Sequence, residues 1–107
     1  MNYIQKIQEQ LDIELKMSGT QYEGLLETYG LLVLTVGINC TQENIHDAWS
    51  IWQNKTQPEH RSLKPFVELT KEVQELDEEY RLAVVKVALS SLDNPKYSEK
   101  AEDINPK

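Results

Sequence analysis

The strongest constraint in this chain is a helical period. From residue 22 to residue 36, Tyr22, Leu25, Leu26, Tyr29, Leu32, Val33 and Val36 recur every three or four residues, which places them on one face of a helix. Thr20 is a candidate N-cap for this helix, and Gly37 and Asn39 offer a stop, so the spacing predicts a helix over about 20–37. Its second half, Gly30 to Ile38, is apolar on every side, as expected of a helix end surrounded by protein. That end is therefore either central to the fold or a contact with another subunit. Gly24 and Gly30 are each unfavourable inside a helix by about 1 kcal/mol relative to Ala, which suggests a close approach by a neighbouring element.

The remaining elements follow the same logic. Ile4, Ile7, Leu11 and Leu15 give a first amphipathic helix over about 3–16, ending near Ser18-Gly19. Thr41 caps a third helix over 42–54, with Ile45, Ala48, Trp49 and Trp52 on one face and His46 one step round from them. Residues Lys55 to Lys64 are polar, contain Pro58 and read as a loop. Pro65 pushes Lys64 away from helical geometry, so Leu63-Lys-Pro-Phe is an extended or turn-like segment. Thr70 caps a last helix over 70–90, with Leu69 as its hydrophobic staple and Val73, Leu76, Tyr80, Ala83, Val84 and Val87 as its buried face. The expected fold is an all-α, four-helix compact domain over residues 1–90, followed by a mobile tail over 91–107, which carries two prolines and little to bury.

At 107 residues there is room for one core, which buries only about 60–65% of the surface that the unfolded chain exposes. A homodimer through the apolar end Leu31–Ile38 is one way of adding to it. Eighteen acidic residues against eleven basic ones give a formal charge of −7, which argues against nucleic acid and anionic membranes as partners. One cysteine, Cys40, allows neither an intrachain disulfide nor a Cys-based metal site and fits a reducing cytoplasm. The apolar run Gly30–Ile38 is about half the ~20 residues needed to span a bilayer, and residues 1–10 alternate in polarity, unlike a signal peptide.

Catalytic signatures are weak. His46 and His60 flank a loop and could converge, yet Asp47 directly follows His46 and helical neighbours point about 100 degrees apart, so no metal-ligand spacing results. Neither Cys40 nor any serine sits in a nucleophile signature, and the four glycines are too scattered for a phosphate loop. The acidic string Glu72, Glu75, Asp77, Glu78 and Glu79 reads mainly as a solvated helix face, although Asp77 shares a turn with Tyr80 and Arg81 and could face a pocket. Trp49 and Trp52 suit either core packing or stacking on a planar ligand.

Two motifs bear on function. His46-Asp-Ala-Trp49 fits a His-x-x-Trp helix, and His60-Arg-Ser-Leu-Lys-Pro-Phe-Val-Glu-Leu69 fits a segment of the form His-Pro-x-Leu-Val-Pro-Tyr-x-x-Leu. With the charged helix Glu72–Tyr80 downstream, residues 44–88 resemble the ryanodine-receptor repeat (RyR) domain, in a shortened form similar to small proteins of phages and Gram-positive bacteria. The family's Gly-Trp-x-Tyr-Gly stretch is replaced here by Trp52 to Glu59, and the proline after its second histidine is Arg61. The resemblance implies a non-enzymatic module that binds a small nucleotide-derived ligand, as a sensor or a phage-type sponge. By the same resemblance His46, Trp49, His60, Leu63, Pro65, Phe66, Asp77 and Tyr80 would line or shape the pocket. An anionic ligand approaching an acidic protein needs local positive charge, for which Arg61, Lys64 and Arg81 are the donors. No cofactor is implied. The competing expectation is an acidic protein-interaction or inhibitor module without a small ligand, and an enzyme using His46 and His60 is the reading least favoured.

Overall fold

The structure, a computed structural model, describes residues 1–17 and 19–92, apart from the side chains of 91 and 92. It is all-α, and no strand occurs among the described residues. Four long helices, α1 (Tyr3–Leu15), α2 (Leu25–Thr35), α3 (Gln42–Asn54) and α5 (Glu78–Leu92), are joined by a single-turn helix α4 (Lys71–Glu75) and by 3-10 turns at Thr20–Tyr22, Gly37–Asn39 and Phe66–Glu68. The anticipated all-α, four-helix architecture is the one observed. The expected tail lies outside the described residues, except that α5 continues to Leu92.

Helix α1 opens with a reciprocal cap. The Asn2 side chain accepts from the Gln5 amide at 2.8 Å while the Gln5 side chain accepts from the Asn2 amide at 3.0 Å. It ends at Leu15, the last residue of the apolar period, where Asp12 holds both following groups: its carbonyl accepts from Lys16 N–H and its carboxylate from Met17 N–H at 2.8 Å. The turn puts Lys16 in the left-handed region at φ 56°. The anticipated stop at Ser18-Gly19 is thus moved to Lys16, and Ser18 itself lies outside the described residues.

The second predicted helix is also shorter than 20–37. Thr20 does not cap it; Thr20–Tyr22 is a separate 3-10 turn, and Gly24, at φ 91°, turns the chain into α2. This left-handed glycine lies against Trp52 of α3, whose indole N–H donates to the Glu23 carbonyl at 2.7 Å. Gly30 faces α1, but a Cβ there would meet Ile7 and Gln8 at 3.7 and 3.8 Å, which is ordinary contact. The neighbour inferred from Gly30 is present and leaves room for a methyl group.

Helix α2 is the hub, packed on α1, α3 and α5 through Leu25, Tyr29 and Val33. It is not enclosed all round, since Leu31 and Leu34 face outward, as does Ile38 in the 3-10 turn that follows. Helix α3 begins with the anticipated Thr41 cap, reinforced by Asn44. Buried Ile45 and Ala48 lie opposite Ala83, Val84, Val87 and Ala88 of α5 across the same core. The Thr70 hydroxyl caps α4 by accepting from Val73 N–H at 3.3 Å.

The predicted helix 70–90 breaks between α4 and α5. Leu76 and Asp77 amides bond three residues back, to Val73 and Gln74, and Asp77 then receives the first α-helical bond of α5 from Arg81 N–H at 2.9 Å. The break rotates Leu76 out of the expected buried face, leaving it two-thirds exposed. Gln42 and Arg81 both donate to Glu78, fastening the start of α5 to α3.

The two left-handed positions give opposed expectations. Lys16→Gly removes the Cβ penalty and is expected to stabilise by about 0.5–1 kcal/mol, whereas Gly24→Ala introduces one and is expected to cost about 1–2 kcal/mol. Urea denaturation at constant m-value measures both.

Candidate functional site

The break that ends α4 and the loop that follows α3 enclose a cleft of about 560 Å3. Its walls come from every long helix but α1 and from the segments between them. Met17 and Tyr22 precede α2, Leu25 and Tyr29 lie on α2, and His46, Trp49 and Trp52 lie on α3. His60, Arg61, Ser62 and Lys64 come from the loop, and Leu69 to Tyr80 from the segment around α4 and the start of α5. The size is that of a small-molecule site.

His46 anchors one wall. It is 4% exposed, not on the edge of the helix as its place beside the apolar stripe suggests, and its Nε2 lies 2.7 Å from the Lys64 carbonyl. A carbonyl only accepts, so Nε2 carries the proton, and in the neutral ring Nδ1 is the acceptor. The ring stacks on Trp49 at 5.7 Å between centroids with 26° between planes, and Phe66 packs on it at 6.1 Å. His60 also meets the Trp49 indole, edge-on, at 5.1 Å and 81°. Both histidines thus contact Trp49. Phe66, His46, Trp49 and His60 form one aromatic ladder that ties α3 to the loop.

The loop reaches this position through successive turns. The Lys55, Thr56 and Gln57 amides bond back to α3, and buried Gln53 donates to the Gln57 side chain. His60 Nδ1 accepts from the Ser62 amide at 3.0 Å, so the neutral ring carries its proton on Nε2 as a donor. Arg61 and Lys64, both exposed, lie at the cleft.

Opposite the loop, Asp77 is half-buried at the α4–α5 junction. Burial pushes its carboxyl up to about 6, opposed by the nearby His46 ring. Tyr29 and Tyr80 pack beside it with ring centroids 5.7 Å apart, and burial raises both phenols above their ordinary value. Among the described residues no side chain donates a hydrogen bond to Asp77, and neither Arg61 nor Lys64 lies within ion-pair distance of it. The cleft therefore presents separated positive and acidic groups on aromatic walls.

Of the residues carried over by the motif resemblance, the cleft brings together His46, Trp49, His60, Asp77, Tyr80, Arg61 and Lys64. Leu63, Pro65 and Phe66 do not line it; Phe66 stands behind His46 and accepts from Gln74 through its carbonyl. Arg81 does not line it either, because its guanidinium is held in a two-pronged pair with Glu78, which keeps that carboxylate well below its usual range. The sequence reading missed Tyr22, Tyr29, Leu25 and Met17 as lining residues and left Trp52 open between core packing and ligand stacking. Their helical spacing is that of a core face, and the only distinguishing signal is the choice of Tyr, with a polar tip, at positions 22 and 29.

The model of the Domain of unknown function (DUF7701) matches residues 2–89. The chain belongs to this family. The match runs from the cap of α1 almost to the end of α5 and includes every residue lining the cleft. No curated protein and no solved structure matches the chain.

Two other features bear on chemistry. Cys40 is buried, donates to the Thr41 carbonyl, and is pushed up to about 11 by burial, so its thiol is protonated at neutral pH. No group of three metal-ligating side chains occurs among the described residues. None of their helices is long and apolar enough to cross a membrane.

Asp77 supplies the pH prediction. Its folded-state value lies above that of the unfolded chain, so the native state binds the extra proton and stability falls as pH rises between about 4 and 6. Solvent screening of a half-exposed carboxyl limits the effect to about 1 kcal/mol. Asp77→Asn is expected to remove this component, so that the difference in stability between variant and wild type grows in favour of the variant from pH 4 to pH 7. Thermal unfolding across that range measures it.

Proposed function

We propose that the domain is a non-enzymatic, RyR-like module that binds a small nucleotide-derived ligand in this cleft, acting as a sensor or sponge. The observation that carries the reading is the pairing of an aromatic wall with exposed positive charge: Trp49 in ring contact with His46 and His60, with Arg61 and Lys64 lining the same cleft. A planar base gains stacking energy on such a wall, and a phosphate gains charge-assisted hydrogen bonds from the two cations. The His60 Nε2–H adds a donor for phosphate or ribose oxygen. The cleft collects His46 and Trp49 from the first motif of the resemblance and His60, Lys64 and Leu69 from the second, so both motifs contribute to one candidate binding surface. Binding without turnover is favoured by the state of the one thiol, buried and protonated outside the cleft, and by the structural hydrogen bond that occupies the Nε2 proton of His46.

A protein-interaction module is the second reading, favoured by exposed Leu31, Leu34 and Ile38, which follow one outward stripe from α2 into the next turn. A second copy of the chain would cover that stripe. Thermal shift with adenine and guanine nucleotides, cyclic dinucleotides and ADP-ribose derivatives separates the readings, because a ligand bound to the native state raises the midpoint by mass action. The expected result is a shift of several degrees with at least one ligand, lost in a folded Trp49→Ala variant. No shift with any member, together with a dimeric mass by light scattering, would transfer the assignment to the interaction module.

A further inference from the structure

A nucleotide-sized cleft needs a group that reads the base, and Asp77 is placed to do so. Its carboxylate lines the cleft at the α4–α5 break and has no hydrogen-bond donor among the described side chains, while the cations stand apart from it on the loop. Phosphate is excluded from the neighbourhood of an acidic group, so the phosphate end of a ligand belongs at Arg61 and Lys64 and the base at Asp77. Trp49 and Tyr80 line the same cleft.

An ionised carboxylate has two acceptor oxygens and no donor. Guanine offers a matching edge, with N1–H and the N2 amino group side by side as donors. Adenine offers a donor and an acceptor, which suits only a protonated carboxyl. We propose that the cleft selects a guanine nucleotide, with the N1–H and N2–H donors of the base on the two oxygens of Asp77, its face against Trp49 and its phosphates at Arg61 and Lys64. The inference rests on the nucleotide-binding reading and adds to it the identity of the base.

The titration of Asp77 gives the proposal a signature. Its carboxyl, pushed up to about 6, is ionised at pH 7.5 and mostly protonated at pH 5. The other titratable or charged groups lining the cleft with it are His46 from α3, Tyr29 from α2, Tyr22 from the turn before α2, Tyr80 from α5, and His60, Arg61 and Lys64 from the loop. Histidine protonation changes the hold on phosphate equally for GDP and ADP, so the ratio of their affinities isolates Asp77.

The test is calorimetric titration of the full chain with GDP, IDP and ADP at pH 7.5 and pH 5. GDP is expected to bind at least tenfold more tightly than IDP, which lacks the N2 amino donor, since a hydrogen bond to a charged acceptor is worth about that factor or more. The GDP-to-ADP affinity ratio is expected to fall about tenfold at pH 5, and Asp77→Asn is expected to abolish the preference for GDP at pH 7.5. The GDP–IDP comparison uses only wild-type protein and stands even if the variant misfolds. Equal binding of GDP, IDP and ADP at pH 7.5 would overturn the guanine assignment and leave nucleotide binding intact. Absence of binding by any of the three, with a thermal shift from another nucleotide, would also overturn it; absence of binding by every nucleotide would overturn both.

Discussion

The buried imidazole of His46 is the contact on which the cleft depends. Its Nε2–H reaches out of α3 to the Lys64 carbonyl, and its ring fills the space between Trp49 and Phe66. A hydrogen bond of this kind contributes about 1 kcal/mol net, but a buried imidazole N–H left without its acceptor costs about 1–3 kcal/mol. The loop from Lys55 to Pro65 has little apolar surface of its own, with most of its residues exposed, so this bond and the aromatic ladder hold it against the domain. Without them the positions of His60, Arg61 and Lys64 would not be defined.

Charge is arranged against the average of the chain. A net charge of −7 repels anions at a distance, yet the loop offers Arg61 and Lys64 at the cleft without ion pairs to any described residue, whereas Arg81 is neutralised by Glu78. Local, unpaired cations on an acidic protein allow an anionic ligand to be held at one end only. Asp77 gives the other end the opposite preference, and the α4–α5 break is what aims it there: in one continuous helix, residue 77 would continue the turn of Leu76 instead of opening a new N-terminus.

Much of the fold is legible in the sequence because its signals are local. The Thr41 and Thr70 caps, the stripes Ile7-Leu11 and Leu25-Tyr29-Val33, and the Ala83-Val84-Val87 face lie where spacing puts them. The misses are places where a local bond or backbone geometry overrides spacing. Asp12 stops α1 at Lys16 by holding two amides, Gly24 starts α2 instead of sitting within it, and Leu76 keeps the apolar period across a break that exposes it. The cleft divides in the same manner. His46, Trp49, His60 and Asp77 were reachable through motifs in the second half of the chain, whereas Tyr22 and Tyr29 were hidden because a cleft wall and a core face have the same helical spacing.

The most direct test of the account is where a nucleotide binds, not only whether it does. In a 1H–15N NMR titration with GDP, the account predicts that the indole N–H signals of Trp49 and Trp52 and the amides of Arg61, Ser62 and Asp77 shift together along one saturation curve, while those of Leu31, Leu34 and Ile38 stay in place. Shifts centred on Leu31 to Ile38, or saturable binding that leaves the Trp49 and Asp77 signals unmoved, would contradict it.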